Sequence, residues 1–237
     1  MLKNYLSNLV ATAEKNYIDR LINSVKSIGS KSFVDIGCFD GALTKKISTS
    51  IGADIVNGIE IEKNAIKKAT EKGINIIKQD ISLKKWDINS NSFDFVFSNQ
   101  VIEHLYSVDN FILEIKRVLV NDGYLLLSTE NLAAWHNIFS LLLGYQPFCY
   151  TNMSTKLWSI GNPMSLVKTG YNNEYMIHRA VFTFYSLREF IKIYDFEVIS
   201  SITSGYYPFP NNWFGNKLAQ LDKRHSVYIA FLLKNKK

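Results

Sequence analysis

Between residues 31 and 128 the chain alternates short apolar runs with helix-compatible segments, and few folds accept that rhythm. Strand-like stretches cover 31–36, 53–59, 74–78, 93–98 and 124–128; helical stretches cover 42–50, 63–72 and 108–119. Strands that are short and apolar and recur between helices are buried on both faces, so helices must cover both sides of the sheet. The pattern predicts an α/β fold of three layers around a mostly parallel sheet, with right-handed crossovers. An N-terminal helical segment over 1–30 carries an apolar stripe through Tyr17, Ile18, Leu21, Ile22 and Val25, suited to lie across the core. After a helix over 186–194, two further strands are expected at 196–201 and 226–233. The stretch 206–216 between them, with Pro208, Pro210, Asn211 and Gly215, reads as turns, so these strands are expected to close the sheet as an antiparallel hairpin.

The first strand ends abruptly in F-V-D-I-G-C-F-D-G-A-L-T, residues 33–44, where Asp35, Gly37 and Gly41 precede a helix. Glycine at 37 permits positive φ or close backbone approach to a ligand, and glycine at 41 lets the helix start tight against the strand. Ligands of open α/β sheets bind at the carboxyl ends of the strands. There the chain presents Glu60 after strand two, Asp80 after strand three, and Asn99-Gln100 leading into Glu103 and His104 after strand four. Glu60 stands about 20 residues beyond the glycine turn, where a carboxylate accepts from both ribose hydroxyls. Asp80 can accept from an adenine amino group; a helix cap or a turn is the alternative use of each carboxylate.

Composition narrows the classes. A chain of 237 residues with 47% hydrophobic and 20% charged residues is long enough for a full core and is not of disordered type. No apolar run reaches the roughly 18–20 residues that cross a bilayer, and the opening M-L-K-N-Y-L-S-N lacks a signal-peptide core, so the expected compartment is the cytoplasm. The net charge of +6 is spread over Lys-rich helix faces and the tail, without the basic, aromatic-interleaved run of a nucleic-acid binder. It is compatible with peripheral contact to an anionic membrane surface. Cys38 and Cys149, far apart in sequence, read as free thiols.

Taken in order, V-D-I-G-C-F-D-G, G-I-E-I, K-Q-D-I, F-D-F-V-F-S-N-Q-V-I-E-H-L and L-V-N-D-G-Y-L-L-L-S-T-E-N resemble the motifs of class I S-adenosylmethionine-dependent methyltransferases. The likeness covers roughly residues 31–131. It implies a Rossmann-like, seven-stranded sheet with an antiparallel last strand and S-adenosyl-L-methionine as cofactor. It places Asp35, Gly37, Phe39 and Gly41 at the methionine part, Glu60 and Ile61 at the ribose, Asp80 and Ile81 at the adenine, and Asn99 and Gln100 beside the sulfonium. The family commonly has a third glycine where this chain has Phe39. Because phenylalanine takes positive φ only at a cost, the turn is expected to differ there, or Phe39 to pack over the cofactor.

In-line methyl transfer needs an aligned nucleophile, and a hydroxyl acceptor gains from a general base, for which His104, then Glu103, then His178 are the candidates. The long aromatic stretch 131–185 (Trp135, His136, Tyr145, Phe148, Tyr150, Trp158, Tyr171, Tyr175, His178) is expected to be a lid, with a helix over 132–143. His136, Arg179, Trp135 and Tyr145 are the acceptor-binding candidates, and the acceptor is expected to be a small molecule or glycan. The chain thus divides into an N-terminal helical segment (1–30), a cofactor core (31–130), a lid (131–185) and a C-terminal closure (186–237) of a single domain. Some small-RNA and quinone-precursor O-methyltransferases carry E-x-x-E-H as metal ligands at this location. Here Gln100 replaces the first carboxylate, and a neutral amide is a poor ligand for a hard cation, so no metal is expected. An NAD-dependent oxidoreductase and a non-catalytic cofactor-binding module are the rival classes.

Overall fold

Alternate residues of the central strands face opposite helical layers, which is why the strands are apolar throughout. The structure is a computed structural model that describes residues 2–165, 174–210 and 213–237, with backbone alone at 2–6 and 213; Tyr171 and Asn211 lie outside the described residues. In chain order the elements are α1 (Leu2–Val25), β1 (Ser32–Ile36), α2 (Ala42–Ile51), β2 (Ile55–Ile59), α3 (Lys63–Glu71), β3 (Asn75–Ile77), β4 (Phe93–Asn99), α4 (Val108–Val118), β5 (Leu119–Glu130), α5 (Trp135–Leu142), α6 (Phe184–Ile193), β6 (Phe196–Ser204), α7 (Trp213–Leu221) and β7 (Tyr228–Asn235). One seven-stranded sheet runs β3-β2-β1-β4-β5-β7-β6. The first five strands pair in parallel, and β7 is antiparallel to both β5 and β6.

On one face Phe33, Phe95, Phe97 and Leu126 pack with Tyr17, Leu21 and Val25 of α1 and Ile47 and Ile51 of α2. On the other, Val34, Ile36, Val96, Leu125 and Leu127 pack with Phe111, Ile112 and Ile115 of α4 and Leu187 and Ile191 of α6. The stripe expected on α1 therefore does cross the core. Strand order reverses between β1 and β4, so the crevice at the carboxyl ends of these two strands is the topological switch point.

The last two strands are joined differently from the expectation. They are antiparallel neighbours, but α7 stands between them in sequence, where the turn residues concealed a helix. Asn216 and Gly215 lower its intrinsic propensity, and tertiary bonds supply what propensity lacks: Thr203 Oγ1 donates to the Ala219 carbonyl and the Arg20 guanidinium to the Asn216 carbonyl (3.2 Å). Strand β5 also starts earlier, at Leu119, because its first residues still pair with the beginning of β4. Both cysteines are free and buried. Among the described residues no helix is long and apolar enough to cross a membrane.

Asp35, the one carboxylate inside β1, is buried and accepts from Thr44 Oγ1 at 2.7 Å, which pins the start of α2 to the strand. Burial, reinforced by the charge of Glu60 and opposed by the Thr44 bond, pushes its pKa up to about 7. A carboxyl whose folded pKa lies above its unfolded one stabilises least at high pH: the folded state holds a proton that the unfolded state has released. Stability is therefore lost as pH rises from about 4 toward 7. Asp35→Asn, which keeps an acceptor for Thr44, is expected to gain on the wild type between pH 5 and pH 8. Thermal melts at both values read this, at about 2–4 °C per kcal/mol for a chain of this size; a gap independent of pH contradicts it.

Candidate active site

The loop from β1 to α2 holds three residues in left-handed backbone conformations: Gly37 (φ 77), Phe39 (φ 46) and Gly41 (φ 75). Gly41 must be glycine for packing as well as for φ, because a Cβ there would come within 2.3 Å of Ile74 Cδ1 and 3.2 Å of the Ala69 backbone. Of the two outcomes expected at Phe39, an altered turn is not what the structure has. The turn keeps its positive φ, and the ring neither forces a different path nor packs into the protein, being 65% exposed. What holds it is Glu60, whose Oε2 accepts the Phe39 N–H at 3.0 Å. Charge-assisted bonds of this kind offset a left-handed penalty of about 1–2 kcal/mol. The other oxygen, Oε1, accepts from the N–H groups of Ile61 (2.7 Å) and Glu62 (2.9 Å). Asp35 and Gly41 are thus occupied in building the turn, while Gly37, Phe39 and Glu60 stand at its accessible rim.

Beyond Glu60 a cleft of about 370 Å³ opens between α3 and the end of β3, lined by Ile61, Lys63, Ile66, Lys78 and Asp80. Two aliphatic side chains beside one carboxylate suit a flat, hydrogen-bonding ring. Asp80 Oδ1 accepts from Ser82 N (2.9 Å) and Oγ (2.6 Å), leaving Oδ2 without a partner among the described residues. Ile81 takes the Trp86 indole N–H on its carbonyl (3.3 Å) and packs toward the core.

At the end of β4 two hydroxyls converge on one oxygen: Tyr17 Oη (2.9 Å) and Ser128 Oγ (2.8 Å) both donate to Asn99 Oδ1. That fixes the amide's orientation, so its NH₂ is the face left to a ligand. Tyr17, read from sequence as a packing residue, is both core and site. Gln100 follows with φ 56, and its Nε2 is a buried donor with no hydrogen-bond partner among the described residues.

The turn after β4 meets the C-terminal part of the lid. The N–H groups of Arg179 (2.6 Å) and Ala180 (3.1 Å) both donate to the Glu103 carbonyl. This clamp brings His178 against His104, ring centroids 4.8 Å apart and edge-on. Each imidazole faces a backbone carbonyl through Nδ1, His104 toward Ile177 (3.2 Å) and His178 toward Cys149 (2.7 Å). Since a carbonyl only accepts, Nδ1 carries the hydrogen in both, and neither Nε2 lone pair has a hydrogen-bond partner among the described residues. The ligand atoms of Glu103, His104 and His178 lie within 4.8 Å of one another. Burial, with the neighbouring Glu130 adding like charge, raises the Glu103 pKa to about 8, and its Oε2 has no partner. Burial first, then His178, lowers that of His104 to about 4.

Of the four acceptor candidates, His136 keeps an unpartnered ring nitrogen and the other three are engaged or exposed elsewhere. His136 is stacked between Phe148 (5.4 Å) and Tyr207 (5.2 Å), with Nδ1 buried and unpartnered. Arg179 Nη1 is instead spent on the carbonyls of His104, Glu174 and Ile177, and its guanidinium covers the Tyr106 ring at 4.0 Å. Trp135 donates to Tyr206 Oη (2.8 Å) and stacks on His225 (4.3 Å), in a network completed by Asp222. Tyr145 lies exposed in the turn after α5, its N–H on the Ser140 carbonyl. Sequence reasoning passed over Glu130, Tyr207 and Tyr228. The rule that found Glu60 and Asp80, a polar residue at a strand's carboxyl end, also finds Glu130 when extended to β5.

Residues 34–127 match the family described as a methyltransferase domain. A ubiquinone biosynthesis O-methyltransferase of Bartonella bacilliformis is 30% identical over 118 residues, which is 48% of this chain and 46% of that protein. Its counterpart from Agrobacterium fabrum is 28% identical over 101 residues, 41% of this chain and 40% of that protein. The chain spans about half the length of the curated relatives it matches. Among solved structures, an S-adenosylmethionine-dependent methyltransferase from Mesorhizobium loti covers 90% of this chain and 95% of its own, at TM-score 0.56 and 14% identity. The N-methyltransferase NodS from Bradyrhizobium japonicum covers 94% and 97%, at TM-score 0.57 and 12% identity. At such identities the likeness is one of fold.

Phe39→Gly tests the account of the opening turn. Removing the side chain from a left-handed, mostly exposed position relieves strain that slightly exceeds the unfolded-chain entropy it adds. The variant is expected to equal or exceed wild-type stability, by up to about 1 kcal/mol in urea unfolding. A loss beyond about 1 kcal/mol means that the Phe39 ring contributes packing.

Proposed function

We propose that this chain, whose core is a class I S-adenosylmethionine-dependent methyltransferase domain, methylates a hydroxyl of a small polar or saccharide-like acceptor. The observation that carries the reading is the set of unfilled polar groups at the carboxyl ends of consecutive strands, from the Glu60-held turn to the His104–His178 pair. S-adenosylmethionine supplies a methyl group already activated as a sulfonium. Glu60 at the rim of the turn holds the ribose, and the cleft lined by Ile61, Ile66 and Asp80 holds the adenine. The Asn99 amide and the Gln100 Nε2 border the methionine part. His104 is unprotonated at neutral pH and offers Nε2 to the acceptor hydroxyl, taking its proton as the methyl group moves to oxygen. His178 and the Glu103 carboxyl stand beside it to orient the same proton. O-direction is supported by the named activity of the curated relatives, and a small acceptor by the same name.

Isothermal titration with S-adenosylhomocysteine is expected to show binding. Absence of binding at millimolar concentration, or binding of NADH in its place, ends the reading. Glu60→Ala is expected to weaken that binding by about 1–3 kcal/mol, the cost of a lost charged acceptor.

A second reading of the same pair is favoured by their geometry. From spacing alone Gln100 argues against a metal, but the fold brings in His178 as a further donor. Two imidazoles and one carboxylate that each bring a ligand atom to within 4.8 Å of the others fit a divalent transition ion better than a hard cation. Glu103, His104 and His178 would hold it, and it would supply charge stabilisation to an ionised acceptor oxygen. A thermal shift on adding Zn²⁺ or Mn²⁺, reversed by EDTA and abolished by His178→Ala, is the expected sign. If neither ion moves the melting temperature, the imidazoles act by proton transfer alone.

A further inference from the structure

A cavity of about 550 Å³ lies between α6, β6 and the short turn Lys223–His225, a volume within the range of about 300–1,000 Å³ that small-molecule sites occupy. None of its lining residues belongs to the cofactor cleft or to the His104–His178 pair. Strand β6 ends the sheet on the side opposite β3 and pairs with β7 alone, so its outer N–H and C=O groups enter no ladder. Its register against β7 slips between Val198 and Ser200, and the four consecutive residues from Val198 to Ser201 all line the cavity. A regular strand turns alternate side chains to opposite faces, and an irregularity of this kind re-aims them. Ile199, passed over by the ladder, is 46% exposed beside the half-buried Val198. The Phe184 and Phe231 rings, centroids 5.2 Å apart, complete the apolar part of the lining.

The polar part consists of two cations and two hydroxyls, Arg188, Lys223, Ser200 and Ser201, with no carboxylate among them. Lys223 Nζ donates to Ser201 Oγ at 2.9 Å, which holds the ammonium at the cavity and leaves two of its three donors for other partners. Arg188, one helical turn beyond Phe184 on α6, is exposed and has no hydrogen-bond or ion-pair partner among the described residues. Other cations of this flank are matched: Lys236 by Asp122 (3.0 Å) and Glu197 (3.3 Å), and Arg224 by Asp222 (3.2 Å). Two unmatched positive charges on one cavity repel each other, and an anion between them turns that repulsion into attraction. A second copy of the chain laid edge to edge along β6 would bring the same cations together, so the charge pattern favours an anionic occupant over self-pairing.

We propose that this cavity is a separate ligand site for a phosphate monoester carrying a small apolar group. The phosphate brings three acceptor oxygens and close to two negative charges at neutral pH, which match the Arg188 and Lys223 pair. The guanidinium can give it two parallel N–H bonds, with the ammonium and the Ser200 hydroxyl as further donors. The apolar group lies against Val198 and Ile199. The inference does not depend on the methyltransferase reading.

Isothermal titration of the full chain with phenyl phosphate tests it, with inorganic phosphate and phenol as the two halves of the probe. Phenyl phosphate is expected to bind saturably, about tenfold more tightly than either half. Arg188→Gln and Lys223→Gln are each expected to lower its affinity about tenfold, the loss of a charge-assisted donor. Arg188→Lys, which keeps the charge without the planar fork, retains part of it. Because Arg188 is exposed and bonds nothing, Arg188→Gln should keep the wild-type melting temperature. Lys63→Gln, which removes a cation from the cofactor cleft instead, should leave phenyl phosphate affinity unchanged. No saturable binding at millimolar concentration means that the cations only guard the edge strand, and overturns the proposal. Inorganic phosphate binding as tightly as phenyl phosphate, wild-type affinity in Arg188→Gln, or an equal loss in Lys63→Gln overturns it as well.

Discussion

The Glu60 carboxylate is the interaction on which the cofactor end of this molecule depends. It accepts three backbone N–H groups, from Phe39 in the first loop and from Ile61 and Glu62 in the second. One side chain therefore joins the ends of β1 and β2 and sets the backbone of both loops. The bond to Phe39 explains how a bulky residue occupies a left-handed conformation there, since a charged acceptor offsets the steric cost. With the loop held in this way, Gly41 can bring α2 against Ala69 and Ile74, and Asp35 can reach Thr44.

The remaining polar groups at the sheet's carboxyl edge divide into two kinds. Some are consumed internally: Arg179 by three carbonyls, Trp135 by Tyr206 and His225, and Asn99 Oδ1 by two hydroxyls. Others are buried and left unmatched, among them Gln100 Nε2, Glu103 Oε2, His136 Nδ1 and Tyr207 Oη. Because an unmatched buried polar atom costs free energy, those that stand at the carboxyl ends of the strands, such as Gln100 Nε2 and Glu103 Oε2, are the ones a ligand there would satisfy. The division also explains why aromatic and basic residues of the lid are unequal candidates despite similar chemistry in the sequence.

Legibility followed the range of the interactions. The strands, the parallel order and the conformational need for glycine at 37 and 41 depend on residues close in sequence or on strand ends, and those were readable. Helix α7 was hidden because its residues favour turns and its stability comes from Thr203 and Arg20, distant in the chain. That Phe39 holds a positive φ was not legible, because the residue that compensates it, Glu60, follows a different strand.

The amino-acid sequence by itself determined the α/β architecture and the cofactor edge, because apolar periodicity and glycine-to-carboxylate spacing act along a continuous stretch of backbone. Only the tertiary structure decided which side chains face one another across that edge. The pairing of His104 with His178 depends on Glu103 receiving two N–H groups from the lid, and the placing of Tyr17 on Asn99 depends on α1 crossing the sheet. Such contacts join residues tens of positions apart, and no local pattern encodes them; the packing of helices and lid on the sheet does.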